Sequence, residues 1–467
     1  MSRHKRARKT VAVVGSGLAG LTSAYLLARN SKERYDVVVF EMQDRLSLDS
    51  ASHTPPEQPA TPAQSRIDLP MRAFAGGYYN NLKLMYEYLG LRFASPKFIY
   101  PLSTLPEDGS ATATPYYIHS SNNHRFPPLR PDKYRLGVWI WELCYLAACY
   151  FWFTLCCFLI APKTHDQSGE VESLEEYIER IHLPQYYTKK YLLPLMSSVT
   201  TCTHDALLRF PATDILEYEK RTYGQPHFTV AGGVRQVEEK LSADLKTRFG
   251  AKVTNVTTVG NKAQISWIEV HSRQTHEDLF DYVILAVTPD VVGAIFQPLR
   301  RAMMSVPTVS VETVVHYDYS RILQSSKHVW KNMDSDNRFF RIMAHPQPMH
   351  ICSNSSATES SHEHPSSAIV TTAPVAPIDP AKIVHRVRLV RVLRTTKSKK
   401  LINHLFDAMP SSRIQDEKIP QWRNGDGNVF LVGGWCWDGM VLLEGCIVSA
   451  MRVAEKLGVD VPWVVPR

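Results

Sequence analysis

The residues from Thr10 to Glu41 constrain the fold of this chain more than any other stretch. Thr10 to Val14 read as a short buried strand, Gly15, Gly17 and Gly20 fill a G-x-G-x-x-G turn, and Leu18 to Asn30 carry an Ala/Leu-rich helical pattern. A second apolar run, Tyr35 to Phe40, ends in Glu41, 21 residues after Gly20. A strand-helix-strand unit with this spacing makes a dinucleotide site for physical reasons. Gly15 permits the tight turn, Gly17 lets backbone approach a pyrophosphate, and Gly20 lets helix pack closely on strand. The first-turn N–H groups and the positive end of the helix dipole then favour an anion. Gly15, Ser16, Gly17, Leu18, Ala19 and Gly20 are therefore expected to line the pyrophosphate, with the Glu41 carboxylate accepting hydrogen bonds from ribose hydroxyls. A basic stretch followed by apolar residues also imitates a secretory leader. The complete set of strand, turn, helix and acid is a better use of the same residues.

The length of 467 residues leaves room for two or three folding units. With 44% hydrophobic and 21% charged residues, the composition excludes disorder, collagen and coiled coil as whole-chain readings. The net charge of +8 sits in two patches: Arg3, Lys5, Arg6, Arg8 and Lys9, and then Lys382, Arg386, Arg388, Arg391, Arg394, Lys397, Lys399 and Lys400 with no acid between them. A tail and one strand-like stretch do not make a nucleic-acid module, so no nucleic-acid partner is expected. Solvation or contact with an anionic membrane suits these patches better. Eight cysteines, four of them inside one apolar run, show neither paired CxxC spacing nor a disulfide framework. That usage suits a reducing compartment. His385 and the other histidines have no metal-ligand spacing, so no metal is expected.

The fingerprint serves FAD and NAD alike, and the C-terminus bears on the choice. Asn428 to Trp435 form an apolar strand running into Gly433 and Gly434, and Leu443 to Ala454 follow as a helical pattern. Together with Ile67-Asp-Leu-Pro-Met-Arg72, Val230-Ala-Gly-Gly-Val-Arg-Gln-Val237 and Phe280-Asp-Tyr-Val-Ile-Leu-Ala-Val-Thr-Pro289, these blocks resemble the flavin amine oxidase superfamily, which includes amine oxidases, protoporphyrinogen oxidase and phytoene desaturases. Leu457-Gly-Val-Asp-Val-Pro-Trp463 resembles the ending of a group of predicted FAD/NAD-binding proteins within it. The resemblance implies FAD in extended form, with its pyrophosphate on the glycine turn, its adenosine ribose on Glu41 and its adenine near the backbone of Val253. Arg45 and Arg72 match arginines of the family blocks. For Arg72 an ion pair with Asp68 is the competing structural use. Gly433, Gly434, Leu443 and Glu444 would pass the isoalloxazine or ribityl end. The helix beginning at Leu443 would point its N-terminus at the flavin, where its dipole stabilises an anionic reduced ring. Trp435 and Trp437 are candidate walls of the substrate site, with core packing as their alternative use.

The departures from the family pattern also matter. Arg45 is followed by Leu46-Ser47 where a glycine pair is usual, Ser47 to Gln64 replace the usual loop, and Pro70 stands in place of a glycine. Gly434 stands where many members carry an acid. No cysteine matches a covalent flavin attachment, and no catalytic acid or base can be named.

Leu143 to Ala161 hold 19 residues without a charge, in an apolar segment, 136–161, that only Glu142 interrupts. The length can span a bilayer. A single crossing, however, would separate the two halves of one cofactor domain. The readings left open are an interfacial helix, with the protein facing the cytoplasm, and a tunnel wall in a cytoplasmic protein. Both favour a small lipophilic substrate. Residues 350–380, rich in Ser, Thr, Pro and His, read as a disordered insertion. The expected architecture is α/β: a Rossmann-like FAD-binding domain built from 1–95, 226–295 and 420–467, interleaved with an α+β substrate domain from 96–225 and 296–419. The expected activity is FAD-dependent oxidation of a C–N or C–C bond by hydride transfer, with a non-catalytic membrane-associated flavoprotein and an NAD-dependent dehydrogenase as alternatives.

Overall fold

The computed structural model describes residues 8–30, 32, 34–54, 66–107, 113–119, 128–132, 134–165, 169–320, 322, 327, 346–406 and 420–464. The basic residues before Arg8, most of the Ser47–Gln64 loop, Arg125 and Lys133 lie outside this set.

The strands numbered below, in chain order, build the two larger of the four sheets among the described residues. The first is parallel throughout, in the order β12 (Val429–Leu431), β6 (Tyr282–Leu285), β1 (Lys9–Val14), β2 (Tyr35–Phe40), β5 (Lys246–Arg248). Both faces of β1 are covered: Val11 and Val13 pack into one core, and Ala12 and Val14 into another with Val283, Leu285 and Leu431. That is why the strand reads as an unbroken apolar run instead of an alternating one. Helix α1 (Leu18–Ala28) connects β1 to β2 and is buried on nearly all sides. Its two hydroxyls, Thr22 and Ser23, donate back to the carbonyls of Leu18 and Ala19. Beyond the carboxyl ends of β1 and β6 the strand order reverses direction, which is where open parallel sheets take their ligands.

The second sheet has the order β11 (Ile383–Val392), β7 (Thr308–His316), β10 (Ile369–Thr372), β9 (Thr358–Glu363), β8 (Pro346–Ser353), β3 (Lys97–Thr104), β4 (Thr114–His119). Only the β3–β8 pair is parallel. The fold is therefore α/β, a Rossmann-like sheet joined to a second, mixed sheet. The helices that position the site are α2 (Asn80–Tyr88), α3 (Leu136–Leu159), α4 (Leu193–Thr200), α5 (Ala212–Thr222), α6 (Thr396–Leu405) and α7 (Leu443–Lys456).

Two expectations are corrected. Residues 350–380 are not a disordered insertion: they supply the second half of β8, all of β9 and β10, and their connections. Their serines, threonines and histidines hide the strand pattern because they are buried in pairs. Ser353 bonds Thr358 and Ser361 bonds Thr371, each at 2.8 Å, and His350 meets Glu363 at 2.6 Å. Burial holds His364 neutral by pushing its pKa down to about 4. The basic run 382–400 is likewise not one surface patch, because it is divided between exposed and inward positions. Strand alternation turns Arg386 and Arg388 outward, where both meet Glu312, and turns Arg391 inward. Arg394 is 1% exposed, Lys382 pairs with Asp318, and Lys399 pairs with the buried Asp214.

Helix α3 is long and apolar enough to cross a membrane by length and composition. Its neighbours in sequence nevertheless argue against a single crossing. β3, before it, is hydrogen-bonded to β8, after it, and β1 to β6, so both flanks lie on one side.

Candidate cofactor and substrate site

The glycine turn is built as a cradle for an anion. Gly15 has φ +101°, and a Cβ there would lie 2.7 Å from the Ala286 carbonyl. A Cβ on Gly20 would lie 2.0 Å from the Gly15 oxygen, so helix and turn touch backbone to backbone. Gly17 differs: a Cβ would meet only Ser47 Oγ, at 4.0 Å. The protein does not need a glycine at Gly17 for its own packing, so the free space lies where a ligand would approach. Gly17 is also the N-cap of α1 and supplies no side-chain acceptor, which leaves the first-turn N–H groups to an anion. Leu18 and Ala19, in that first turn, are themselves buried.

Glu41 stands at the end of β2, 5% exposed. One carboxylate oxygen accepts from Ser16 N and Oγ, the other from Gln43 N at 3.0 Å. The Ala251 N–H bonds the Glu41 carbonyl at 2.9 Å, which brings the strand Ala251–Val259, with the buried Val253, against the acid. Ser47, in place of a family glycine, donates its N–H to Ser16 Oγ at 2.8 Å and sits beside Gly17. Arg45 is exposed on the loop after β2.

Arg72 forms no ion pair with Asp68 among the described residues. Asp68 instead accepts the Val234 N–H on both oxygens, at 3.1 and 2.9 Å, and a Cβ on Gly233 (φ +82°) would lie 2.7 Å from it. Two family blocks meet there. Arg72 Nη2 donates to the Leu48 carbonyl at 3.2 Å, and its Nε is buried without a partner.

After β12 the chain turns through Gly433 and Gly434 into α7. Ser449 pins the turn, accepting from Gly433 N at 3.0 Å. A Cβ on Gly434 would lie 3.0 Å from the Leu442 carbonyl, and one on Gly445 would lie 2.5 Å from the Gly434 oxygen. The acid that many family members carry at the position of Gly434 has no room here. Leu443 opens α7. The Glu444 carboxylate, in the block that the resemblance sets beside the flavin, caps α2, accepting from Asn81 N, Asn81 Nδ2 and Leu82 N at 2.7–3.0 Å. The unpaired N–H groups of a helix start are a stronger attraction for a buried carboxylate than an apolar turn. Burial raises its pKa against these bonds.

The two tryptophans separate. Trp435 is core: 3% exposed, its Nε1 donates to the Val287 carbonyl. Trp437 faces an aromatic cluster, with Tyr78 at 6.1 Å and Tyr218 at 5.0 Å from Tyr78. Arg394 Nη2 donates to both tryptophan carbonyls, at 3.1 and 3.0 Å. Cys446 lies between α1 and the glycine turn, and burial pushes its thiol up to about 11. The phenols of Tyr78 and Tyr218 are raised by burial as well, so the groups around the turn stay neutral. Farther out, burial lifts Glu219 on α5 to about 7, opposed by a hydrogen bond from Tyr150 of α3. Among the described residues no group of His, Cys, Asp or Glu could hold a metal ion. Sequence reasoning noted Ser47 only as a departure from the family pattern and Arg394 only as part of the basic run, and it did not single out Glu219.

The arrangement suits FAD: an anion cradle, an acid at the ribose position, and a second glycine turn facing the first across α1. The flavin containing amine oxidoreductase family matches residues 154–457, and the NAD(P)-binding Rossmann-like domain matches residues 13–89. Among solved structures, the chain is similar to a putative protoporphyrinogen oxidase from Exiguobacterium sp. 255-15, with 13% identity, TM-score 0.56, and 97% of this chain and 99% of that one covered. It is also similar to the CLA-producing fatty acid isomerase from P. acnes, with 13% identity, TM-score 0.58 and the same coverage. At such identity these two likenesses concern the fold. No curated protein matches the sequence.

Proposed function

The chain belongs to the flavin containing amine oxidoreductase family and is an FAD-dependent oxidoreductase, and from that premise we propose that it oxidises a small lipophilic molecule at a C–N or C–C bond. FAD, when bound, supplies the two-electron acceptor that receives the hydride. The protein's part is to bind, orient and keep out water. The observation that supports the reading is an aromatic lining near the second glycine turn: Tyr218 of α5 meets Tyr78, which in turn meets Trp437. Farther out, Phe158 of α3 meets Tyr223 at the end of α5. Neutral phenols and thiols around the turn suit an uncharged or weakly polar reactive centre. The two solved neighbours, named as acting on protoporphyrinogen and a fatty acid, are in keeping with an apolar substrate.

The outer face of α3 supports membrane contact as the source of that substrate. Trp141, Phe151 and Leu159 are 74%, 67% and 73% exposed, and the stripe they share with Ile140, Cys144, Ala147, Ala148, Trp152 and Phe158 has no charge. An exposed apolar stripe of this length fits a helix lying in a lipid interface. The eight cysteines are all free, in keeping with the cytoplasmic side. We assign the cofactor part to residues 1–95, 226–295 and 420–467, and the substrate part to the remainder.

The test is anaerobic mixing of the purified yellow protein with lipophilic amines and alkenes. Bleaching of the flavin band by a member of the series, and its return on admitting dioxygen or another acceptor, is the expected result. A yellow protein that no compound bleaches would favour a non-catalytic flavoprotein. A colourless one stabilised by NAD and not by FAD would overturn the assignment.

A further inference from the structure

Strand β11 alternates: Val384, Arg386, Arg388 and Val390 face out, while Ile383, His385, Val387, Leu389 and Arg391 face in. His385 is engaged with the Ala51 carbonyl and the His53 ring at the far end of the strand, so Arg391 is the one arginine or lysine on this inner face and has Leu389 and Val387 as its nearest inward neighbours. Its Nη2 makes one long hydrogen bond, 3.3 Å, to the Val199 carbonyl near the end of α4. Its Nε is buried with no partner, and among the described residues no carboxylate lies within ion-pair distance. The groups whose fields reach it most strongly are Tyr79, Cys202, Arg72 and Cys446, none of them an anion at neutral pH; burial, with Arg72, lowers its pKa. A guanidinium does not escape such a position by losing its proton. A partly buried charge with no counter-charge is costly, and an anion from outside the described residues would offset it.

Arg72 is a second such group, and its bond to the Leu48 carbonyl sets it close to Ser47, which stands beside Gly17 of the first turn. Arg391 comes from the second sheet, and the group acting on it most strongly is Tyr79, next to Tyr78 of the aromatic cluster.

We propose that Arg391 recognises a carboxylate on the substrate, so that the substrate class is a lipophilic monocarboxylic acid. One planar fork matches one carboxylate in a bidentate pair. A phosphate dianion would call for further cations beside Arg391, and its nearest inward neighbours on the strand are Leu389 and Val387. This inference rests on the oxidoreductase reading above, but its test does not depend on turnover.

The experiment titrates the FAD-loaded protein with decanoate, decan-1-ol and decylamine, reading the shift of the bound-flavin spectrum and the change in melting temperature. Decanoate is expected to bind on the order of 30-fold more tightly than the alcohol. Arg391→Met should reduce that preference to within about threefold while keeping flavin content, and Arg391→Lys should keep part of it. Equal binding of decanoate and decanol to the unaltered protein overturns the proposal, and that comparison needs no variant to fold. Retained preference in Arg391→Met overturns it too. Loss of flavin from Arg391→Met would make the arginine a counter-charge of the cofactor and would also refute it. A protein that binds decanoate selectively, yet carries no flavin, would sink the oxidoreductase reading and leave the carboxylate site standing, because the melting shift reports binding without colour.

Discussion

At the scale of single residues, the three glycines of the first turn separate into two kinds, and the difference is measurable. Gly20→Ala drives a Cβ into the Gly15 oxygen at 2.0 Å, so the helix must move. Such backbone overlap is expected to cost on the order of 2–4 kcal/mol of stability and the flavin with it. Gly17→Ala meets nothing closer than 4.0 Å. It should leave the melting temperature of the apoprotein unchanged within a degree or two and still abolish flavin binding, as read by absorbance after reconstitution. A Gly17→Ala protein that keeps its flavin would show that no pyrophosphate lies on this turn. Glu219 gives a residue-scale prediction with a sign. Burial raises its carboxyl from an ordinary 4.5 to about 7. Between those values the folded chain holds a proton that the unfolded chain has lost, so stability falls as pH rises through this window and levels off above it. Glu219→Gln removes that loss. Relative to the parent, the variant should gain up to about 3 kcal/mol between pH 4 and pH 8 in urea unfolding. A constant difference across that range would mean that Glu219 is already ionised in the fold.

At the scale of elements, α3 carries its information on two faces. Phe153 is 2% exposed and packs with Cys149, Cys156 and Tyr177. Phe153→Ala should cost about 3–5 kcal/mol. Trp141→Glu with Phe151→Glu, on the outer stripe, should cost under about 0.5 kcal/mol and abolish co-sedimentation with vesicles. Vesicle binding that survives the double change would leave α3 as a wall of the protein and nothing more. Elements also show what a sequence reveals and conceals. The βαβ unit was legible from spacing alone because its strands are buried on both faces and its glycines have no substitute. β8 to β10 were not, because burial there rests on pairs such as Ser361 with Thr371 and His350 with Glu363, and a single polar residue does not announce its partner. The alternating strand in the basic run was legible, but which of its charges are hidden was not: counting charge ignores parity, whereas Arg388 and Arg391 differ by an odd number and so face opposite sides of β11. Nor could a motif show that the Glu444 carboxylate caps the α2 N-terminus, 362 residues away in sequence.

At the scale of the whole molecule, the two sheets are joined where the cofactor turn is held. Arg394 follows β11 of the second sheet and grips the carbonyls of Trp435 and Trp437, which follow β12 of the first. Beside it Lys399 of α6 pairs with Asp214 of α5. The polypeptide that shapes the second glycine turn is therefore stabilised from the second sheet, and loss of that grip should be felt as loss of cofactor. Arg394→Met leaves two buried carbonyls without a donor, which costs about 2–4 kcal/mol, and it frees the turn that α7 leaves. Arg394→Lys should do little better, since a single ammonium on a flexible stem does not reproduce a planar fork that reaches two acceptors. Both variants are expected to release flavin on dilution at least tenfold more readily than the parent, with a melting temperature several degrees lower. Added FAD should restore part of that loss by mass action, about 2.7 kcal/mol at a hundredfold excess over the dissociation constant. A lowered melting temperature with unchanged flavin affinity would mean that Arg394 stabilises the second sheet alone. The turn would then be set by Gly434, Gly445 and Ser449, within the first sheet's own frame.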